Sequence, residues 1–260
     1  MVLKIISAIA FCAVLLSHTV SANQAYNFQF APFSRDLPQR TVTSLFESDR
    51  GQVWIGTQEG LHLYSGPRLR SFAYDVTSAD TLTSEYITAI AEASTGEILV
   101  GTRFGGVNVY NPVTDSFTVP RTTRQSDSVQ AMGEVFAVSV DSQNRAWVGH
   151  RNGISLIDKN PAGSWISKDL RNKTADIGLI NGFIEKGQTV WAASSTLGLI
   201  NISEDGEVVE RVSAAILFGP EKNSVQTTGL LSDALGRIWA WSFNSGIAIF
   251  NLEDKEVVTR

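Results

Sequence analysis

Reactive side chains are scarce in this sequence, and their spacing decides what chemistry is open to them. Three histidines and one cysteine occur in 260 residues. Cys12 and His18 fall in an N-terminal apolar segment, which leaves His62 and His150. His62 sits in an apolar run and His150 beside a turn, so the pair supports no two-histidine metal site. A single cysteine excludes a disulfide scaffold and a multi-cysteine zinc site. No nucleophile elbow, P-loop, dinucleotide-binding glycine motif or HExxH helix is present. Glu47 and Asp49 form a carboxylate pair, but they occupy turn positions, where closing the turn is the commoner role. Gly105-Gly106 is followed by no helix and reads as a tight turn rather than a phosphate cradle. No catalytic residue, metal or cofactor is expected.

Binding chemistry is better represented. Gln58, Glu59, Arg103, Phe104, His150, Arg151, Asn152, Phe243 and Asn244 all lie in short turns between apolar runs. Arg103, Arg151 and His150 suit a carboxylate or sulfate, and Phe104 and Phe243 can stack on a sugar ring. The partner expected from these residues is a small-molecule or oligosaccharide signal.

The elements that must hold these turns follow from an internal repeat of about 46 residues. Its copies are Val42 to Gly66, Ile87 to Pro112, Val135 to Asp158, Ile180 to Ser203 and Gln226 to Leu252. The landmarks Trp54, Leu99, Trp147, Trp191 and Trp239 are 45, 48, 44 and 48 residues apart. Gly60, Gly105, Gly153, Gly198 and Gly246 keep the same step. Each copy opens with a β-rich run such as Val42 to Phe46. A polar turn, a run carrying the landmark, a glycine turn and a third run follow. A weaker fourth run appears at Arg70 to Tyr74 and at Ser116 to Val119. Short β-branched and aromatic runs cut by Gly, Asn and Asp predict antiparallel strands joined by tight turns. No segment carries a sustained helical period. Four strands per repeat predict an all-β fold, a β-propeller of four-stranded antiparallel blades, with five repeats and an incomplete ring. The turns between second and third strands then share one face with the links between blades. Two end-blade faces are left unpaired, which predicts an oligomeric or aggregation-prone chain.

Composition narrows the setting. Lys and Arg total 21 against 26 Asp and Glu, with no basic cluster, so no nucleic-acid partner is expected. Met1 to Ala22 reads as a signal peptide: Lys4, then the apolar run Ile5 to Leu16, then Val20-Ser21-Ala22. A helix of that run spans about 18 Å against roughly 30 Å of hydrocarbon, too short for a membrane span. The domain expected is residues 23–260, exported to a bacterial periplasm and free of cysteine.

The run VTSLFESDRGQVWIGTQEGLHLY, Val42 to Tyr64, resembles the two-component regulator propeller repeat. Phe28, Phe30, Phe33 and Leu37-Pro38 resemble the lead-in to its first copy, and Phe72 to Leu82 resembles the following link. The likeness weakens in the third to fifth copies, where His150, Ser194 and Ser242 stand in place of Thr57. The resemblance implies an exported sensor region. It also implies a second propeller and an output domain, a histidine kinase or a diguanylate cyclase, elsewhere in a full-length receptor, which allows a dimer of that receptor. This chain reads as an N-terminal piece of such a receptor and reaches Arg260 where the fourth strand of its fifth unit is due. The alternatives are a propeller lyase that opens a small cyclic ester, with His150 as its one turn histidine, and a structural interaction propeller.

Overall fold

The structure is a computed structural model that describes residues 36–66, 68–122, 132–170, 177–222 and 225–259. The described residues belong to one compact unit, Phe33–Arg260. The expected signal peptide and the lead-in residues Phe28, Phe30 and Phe33 lie outside the described residues.

Five antiparallel four-stranded blades follow one another along the chain. Blade 1 holds β1 (Val42–Glu47), β2 (Val53–Thr57), β3 (Gly60–Ser65) and β4 (Arg68–Phe72). Blade 2 holds β5 (Ile87–Glu92), β6 (Ile98–Thr102), β7 (Val107–Asn111) and β8 (Ser116–Thr118). A two-residue strand, β9 (Arg121–Thr122), comes next. Blade 3 holds β10 (Val135–Val140), β11 (Ala146–His150), β12 (Gly153–Lys159) and β13 (Trp165–Asp169). Blade 4 holds β14 (Ile180–Lys186), β15 (Thr189–Ser194), β16 (Gly198–Ile202) and β17 (Val208–Val212). A one-turn helix, α1 (Ala214–Phe218), leads to blade 5, which holds β18 (Gly229–Ser232), β19 (Ile238–Ser242), β20 (Gly246–Asn251) and β21 (Glu256–Thr259). The fourth strand of the fifth unit is therefore present.

Two elements depart from the repeat. β9 runs parallel to β13, with Arg121 opposite Ile166, and gives blade 3 a fifth strand. Helix α1 starts at Ser213, whose hydroxyl accepts from the Ile216 amide, and buries Leu217 and Phe218. Neither has a counterpart in the other copies, which is why the repeat pattern is silent on both.

Hydrophobic sealing between blades explains the landmark row. β1 packs on β5, β5 on β10, β10 on β14 and β14 on β18. Trp54 lies with Tyr110 and Phe117 of the next blade, its ring centroid 5.4 Å from that of Tyr110. Leu99 packs with Val135 and Val148, Trp147 with Phe183 and Ala192, and Trp191 with Ala240 and Phe250. Large apolar side chains at one register, three Trp and one Leu, thus bury area across the four joints. No packing of this kind joins β18 to β1 among the described residues, so the five blades form an arc and not a closed ring. Trp239, which has no blade beyond it there, is only half-buried.

Candidate functional site

In blades 1 to 4 the second-to-third-strand turn is closed by the side chain of the last residue of the second strand. Thr57 Oγ1 accepts from the Glu59 amide at 3.1 Å and donates to the Gly60 carbonyl at 3.0 Å. Thr102 does the same with the Gly105 amide and the Gly106 carbonyl. Ser194 Oγ accepts from the amides of Thr196 and Leu197. In blade 3 the acceptor is a ring nitrogen: the Asn152 amide donates to His150 Nδ1 at 3.3 Å. That bond leaves the proton on Nε2, which donates to Ser155 Oγ at 3.0 Å. His150 is 1% exposed, so it braces its turn from below. Its side chain thus lies beneath the face on which it was expected to meet a ligand. The replacement of Thr57 by His150 and Ser194 keeps a turn-closing acceptor each time.

His62 occupies the position of Ser155 in its own blade. Its Nδ1 lies 2.8 Å from Ser71 Oγ and its Nε2 3.3 Å from Thr57 Oγ1. The Thr57 hydroxyl already donates to Gly60, so Nε2–H donates to Thr57 and Nδ1 accepts from Ser71. Burial lowers the His62 pKa below 6.5 and favours this neutral form. No group of three or more metal-ligating side chains occurs among the described residues.

Carboxylates at the end of the first strand serve the joints of blades 2 and 4. Glu92 Oε2 accepts from the Asp49 amide of the preceding blade at 2.8 Å. Glu185, at the same register in blade 4, accepts from the Ser142 amide and hydroxyl, both at 2.7 Å. Asn144 Oδ1 does the equivalent for Ser94 at 2.7 Å. Glu47 holds the register of Glu92 and Glu185 in blade 1, consistent with a joint residue rather than an acid–base group.

The remaining turn residues fall into three groups. Gln58 and Phe104 line one cavity of about 440 Å³ on the face that carries the blade links. Its other walls are Tyr74, Thr83, Ser84, Glu85 and Tyr86. Gln58 Nε2 donates to Tyr86 Oη at 3.4 Å, and Phe104 is 71% exposed. Arg103 and Arg151 form the second group, drawn together by Glu134. Arg103 Nε is 3.1 Å from Glu134 Oε1, and Arg151 pairs with the other oxygen. The Arg103 guanidinium also lies 5.1 Å from the Tyr86 ring centroid and 5.8 Å from that of Phe104. Glu134 thus pairs with both arginines, and its single negative charge offsets one of their two positive charges. Phe243 and Asn244 form the third group. With Gln226 and Thr228 they line a separate cavity of about 430 Å³ on blade 5. Glu59 and Asn152 line none of these cavities.

Sequence reasoning missed Tyr74, Tyr86, Glu85 and Glu134. All four lie in the links between blades, which differ in length and have no repeat register. The signal was available in the topology, since links and second-to-third-strand turns share a face.

The comparisons with known proteins agree with this architecture. Residues 36–59 match the family model described as two component regulator propeller, so blade 1 carries that family's repeat. The extracellular domain of the putative hybrid two component system BT3049 from B. thetaiotaomicron superposes with a TM-score of 0.68 at 20% identity. That match covers 85% of this chain and 30% of the other. The extracellular domain of BT4673 from the same organism, a putative one component system, gives 0.66 at 22% identity, over 89% and 33%. Virginiamycin B lyase from Staphylococcus aureus gives 0.61 at 12%, over 84% and 69%. The chain therefore spans about a third of the length of the two extracellular domains. No curated protein matches the chain. The class is an all-β propeller-type array of four-stranded blades, with the fold of extracellular propeller domains and a two-component-regulator propeller match confined to residues 36–59.

Proposed function

We propose that this chain is the exported ligand-sensing propeller region of a signal-transduction receptor, two-component or cyclic-di-GMP in type, and that it performs no catalysis itself. The cavity between Gln58 and Phe104 carries the reading. Three aromatic rings, an amide and hydroxyls converge there on a rigid sheet scaffold, which suits stacking and hydrogen bonding to a saccharide. Glu85 is the only charged residue in its lining, so a neutral oligosaccharide fits better than an anionic one. Export through the N-terminal segment to the periplasm, and coupling to a second propeller and an output domain in a full-length receptor, complete the proposal. No helix among the described residues is long and apolar enough to cross a membrane.

Calorimetry with a panel of neutral oligosaccharides tests it. Binding that disappears in a Gln58→Ala/Phe104→Ala double variant of unchanged melting temperature supports the site. Unchanged affinity in that variant, or no binding across the panel, rejects it. The lyase alternative shares the fold but not a presented histidine, because His150 is buried. Turnover of a cyclic ester by the purified chain, lost in a His150→Ala variant that still folds, would restore that alternative.

A further inference from the structure

The departure of β9 from the repeat builds a second cleft, away from the link-bearing face. After β8 the chain crosses to the outer edge of blade 3, and Arg121 pairs in register with Ile166. Beneath this crossing lies a cleft of about 420 Å³ between blades 2 and 3. Val109 and Trp165 give it apolar surface, and Asn111, Thr118, Arg121 and Ser164 give it polar groups. It opens near the turns between third and fourth strands, on the opposite side of the blades from the Gln58–Phe104 cavity.

The chemistry of this lining is one-sided. Glu97 is the only carboxylate in the wall, and it is already engaged: Lys159 Nζ lies 2.6 Å from Glu97 Oε1, and Thr95 donates to Oε2. Asn111 Oδ1 is likewise used, accepting from the Val113 amide at 2.8 Å and the Thr114 amide at 3.3 Å. Its NH2 group remains to donate. Arg121 is exposed and makes no ion pair among the described residues, unlike Arg70, Arg103, Arg145, Arg151 and Arg237. The cleft therefore offers a guanidinium, an amide NH2 and two hydroxyls, with its one negative charge compensated. An acceptor-rich ligand with one negative charge matches that set, because a charge-assisted bond from Arg is stronger than a neutral one. The volume lies at the small end of ligand pockets, the size of a monosaccharide.

We propose that the cleft beneath β9 binds a small carboxylate-bearing polyol, such as a sugar acid, at the outer edge of the joint between blades 2 and 3. Arg121 holds the carboxylate, Asn111 and the hydroxyls of Thr118 and Ser164 meet the ligand hydroxyls, and the Trp165 side borders its apolar face. This site is independent of the one on the link-bearing face, so either can fail alone.

Titration of the full chain with D-glucuronate, D-glucose and acetate, followed by calorimetry and by the Trp indole N–H resonances, tests the assignment. Glucuronate is expected to bind at about millimolar concentration or tighter, with glucose and acetate each at least about tenfold weaker. Arg121→Gln should weaken glucuronate by about tenfold or more. Asn111→Asp keeps the turn-closing oxygen but replaces the donor with a negative charge, and should weaken binding to a similar extent without lowering the melting temperature. The Gln58→Ala/Phe104→Ala variant should bind glucuronate normally. Equal affinity for glucose and glucuronate, undiminished binding by Arg121→Gln, or no binding of glucuronate at all would overturn the proposal.

Discussion

A single buried indole shows how one side chain sets the quality of a blade. Trp147 Nε1 donates to Asp141 at 3.0 Å and Trp239 Nε1 to Asp233 at 2.8 Å, each carboxylate also holding the arginine four residues on. In blade 1 the corresponding residue is Ser48, which accepts from the Gln52 amide, and the buried Trp54 Nε1 has no partner. An orphaned donor costs about 1–3 kcal/mol. A Ser48→Asp/Gln52→Arg double variant should rebuild the motif and raise stability by about 1 kcal/mol, read by chemical denaturation. A decrease would mean that the blade 1 turn cannot admit the carboxylate. His62 makes a second residue-scale prediction. Its pKa in the fold is depressed, so the unfolded chain takes up a proton first as pH falls below 6.5. Stability is fully present above that value and is lost as pH falls through the lowered value. His62→Asn, which copies Asn108 of blade 2, should flatten melting temperature against pH in this range. An unchanged profile would place the acid sensitivity elsewhere.

At the scale of elements, the joints between blades depend on a missing side chain. Two residues after each of the first three landmarks stands Gly56, Gly101 or Gly149, and the first residue of the next blade sits over it. A Cβ on Gly101 would lie 2.7 Å from Val135 Cγ1 and 3.1 Å from Val138 Cγ2. Gly101→Val should therefore destabilise the chain by about 1–3 kcal/mol through overpacking. Val135→Ala, costly alone, should recover part of that loss when combined with it, and strict additivity of the two would show that they do not share one socket. Blade 5 breaks the pattern. Trp241 stands at the glycine position and lies over Gly229 of its own first strand, where a Cβ would come within 2.2 Å of the indole. Its socket is filled from within.

At the scale of the whole arc, exposure singles out the two ends. Val42 is 42% exposed, whereas Ile87, Val135 and Ile180 at the same register are 0% exposed. Leu45 is 65% exposed against 7% for Ile90. On blade 5, Leu231 and Ile247 are about half exposed. Apolar patches of this kind drive association. The chain of residues 1–260 should therefore show concentration-dependent self-association by light scattering. Leu45→Lys and Leu231→Lys together should reduce it while leaving the inner blades folded. A cooperatively melting monomer at high concentration would show that these faces are covered in solution.

The blade plan was legible in the sequence because local chemistry writes it. A pleated strand needs β-branched and aromatic residues, a tight turn needs Gly, Asn or Asp, and a repeated joint needs the same large side chain at the same step, so Trp54, Trp147, Trp191 and Trp239 announce themselves. The role of Gln58 and Phe104 as cavity walls was half legible, since their turns were known to share a face. Their partners were not, because Tyr74, Tyr86 and Glu134 come from links without register, and only packing brings them within reach. The same holds for His150. Its residue type permits a ligand, a catalyst or a turn brace, and burial beneath its own hairpin selects the last. Sequence alone settled the class of element within the repeated blades, though not β9 or α1, because it is a matter of backbone preference and period. Tertiary structure decided which charges were paired, with Glu134, Asp141 or Lys159, and which, such as Arg121, had no ion pair among the described residues, because pairing depends on distances across blades.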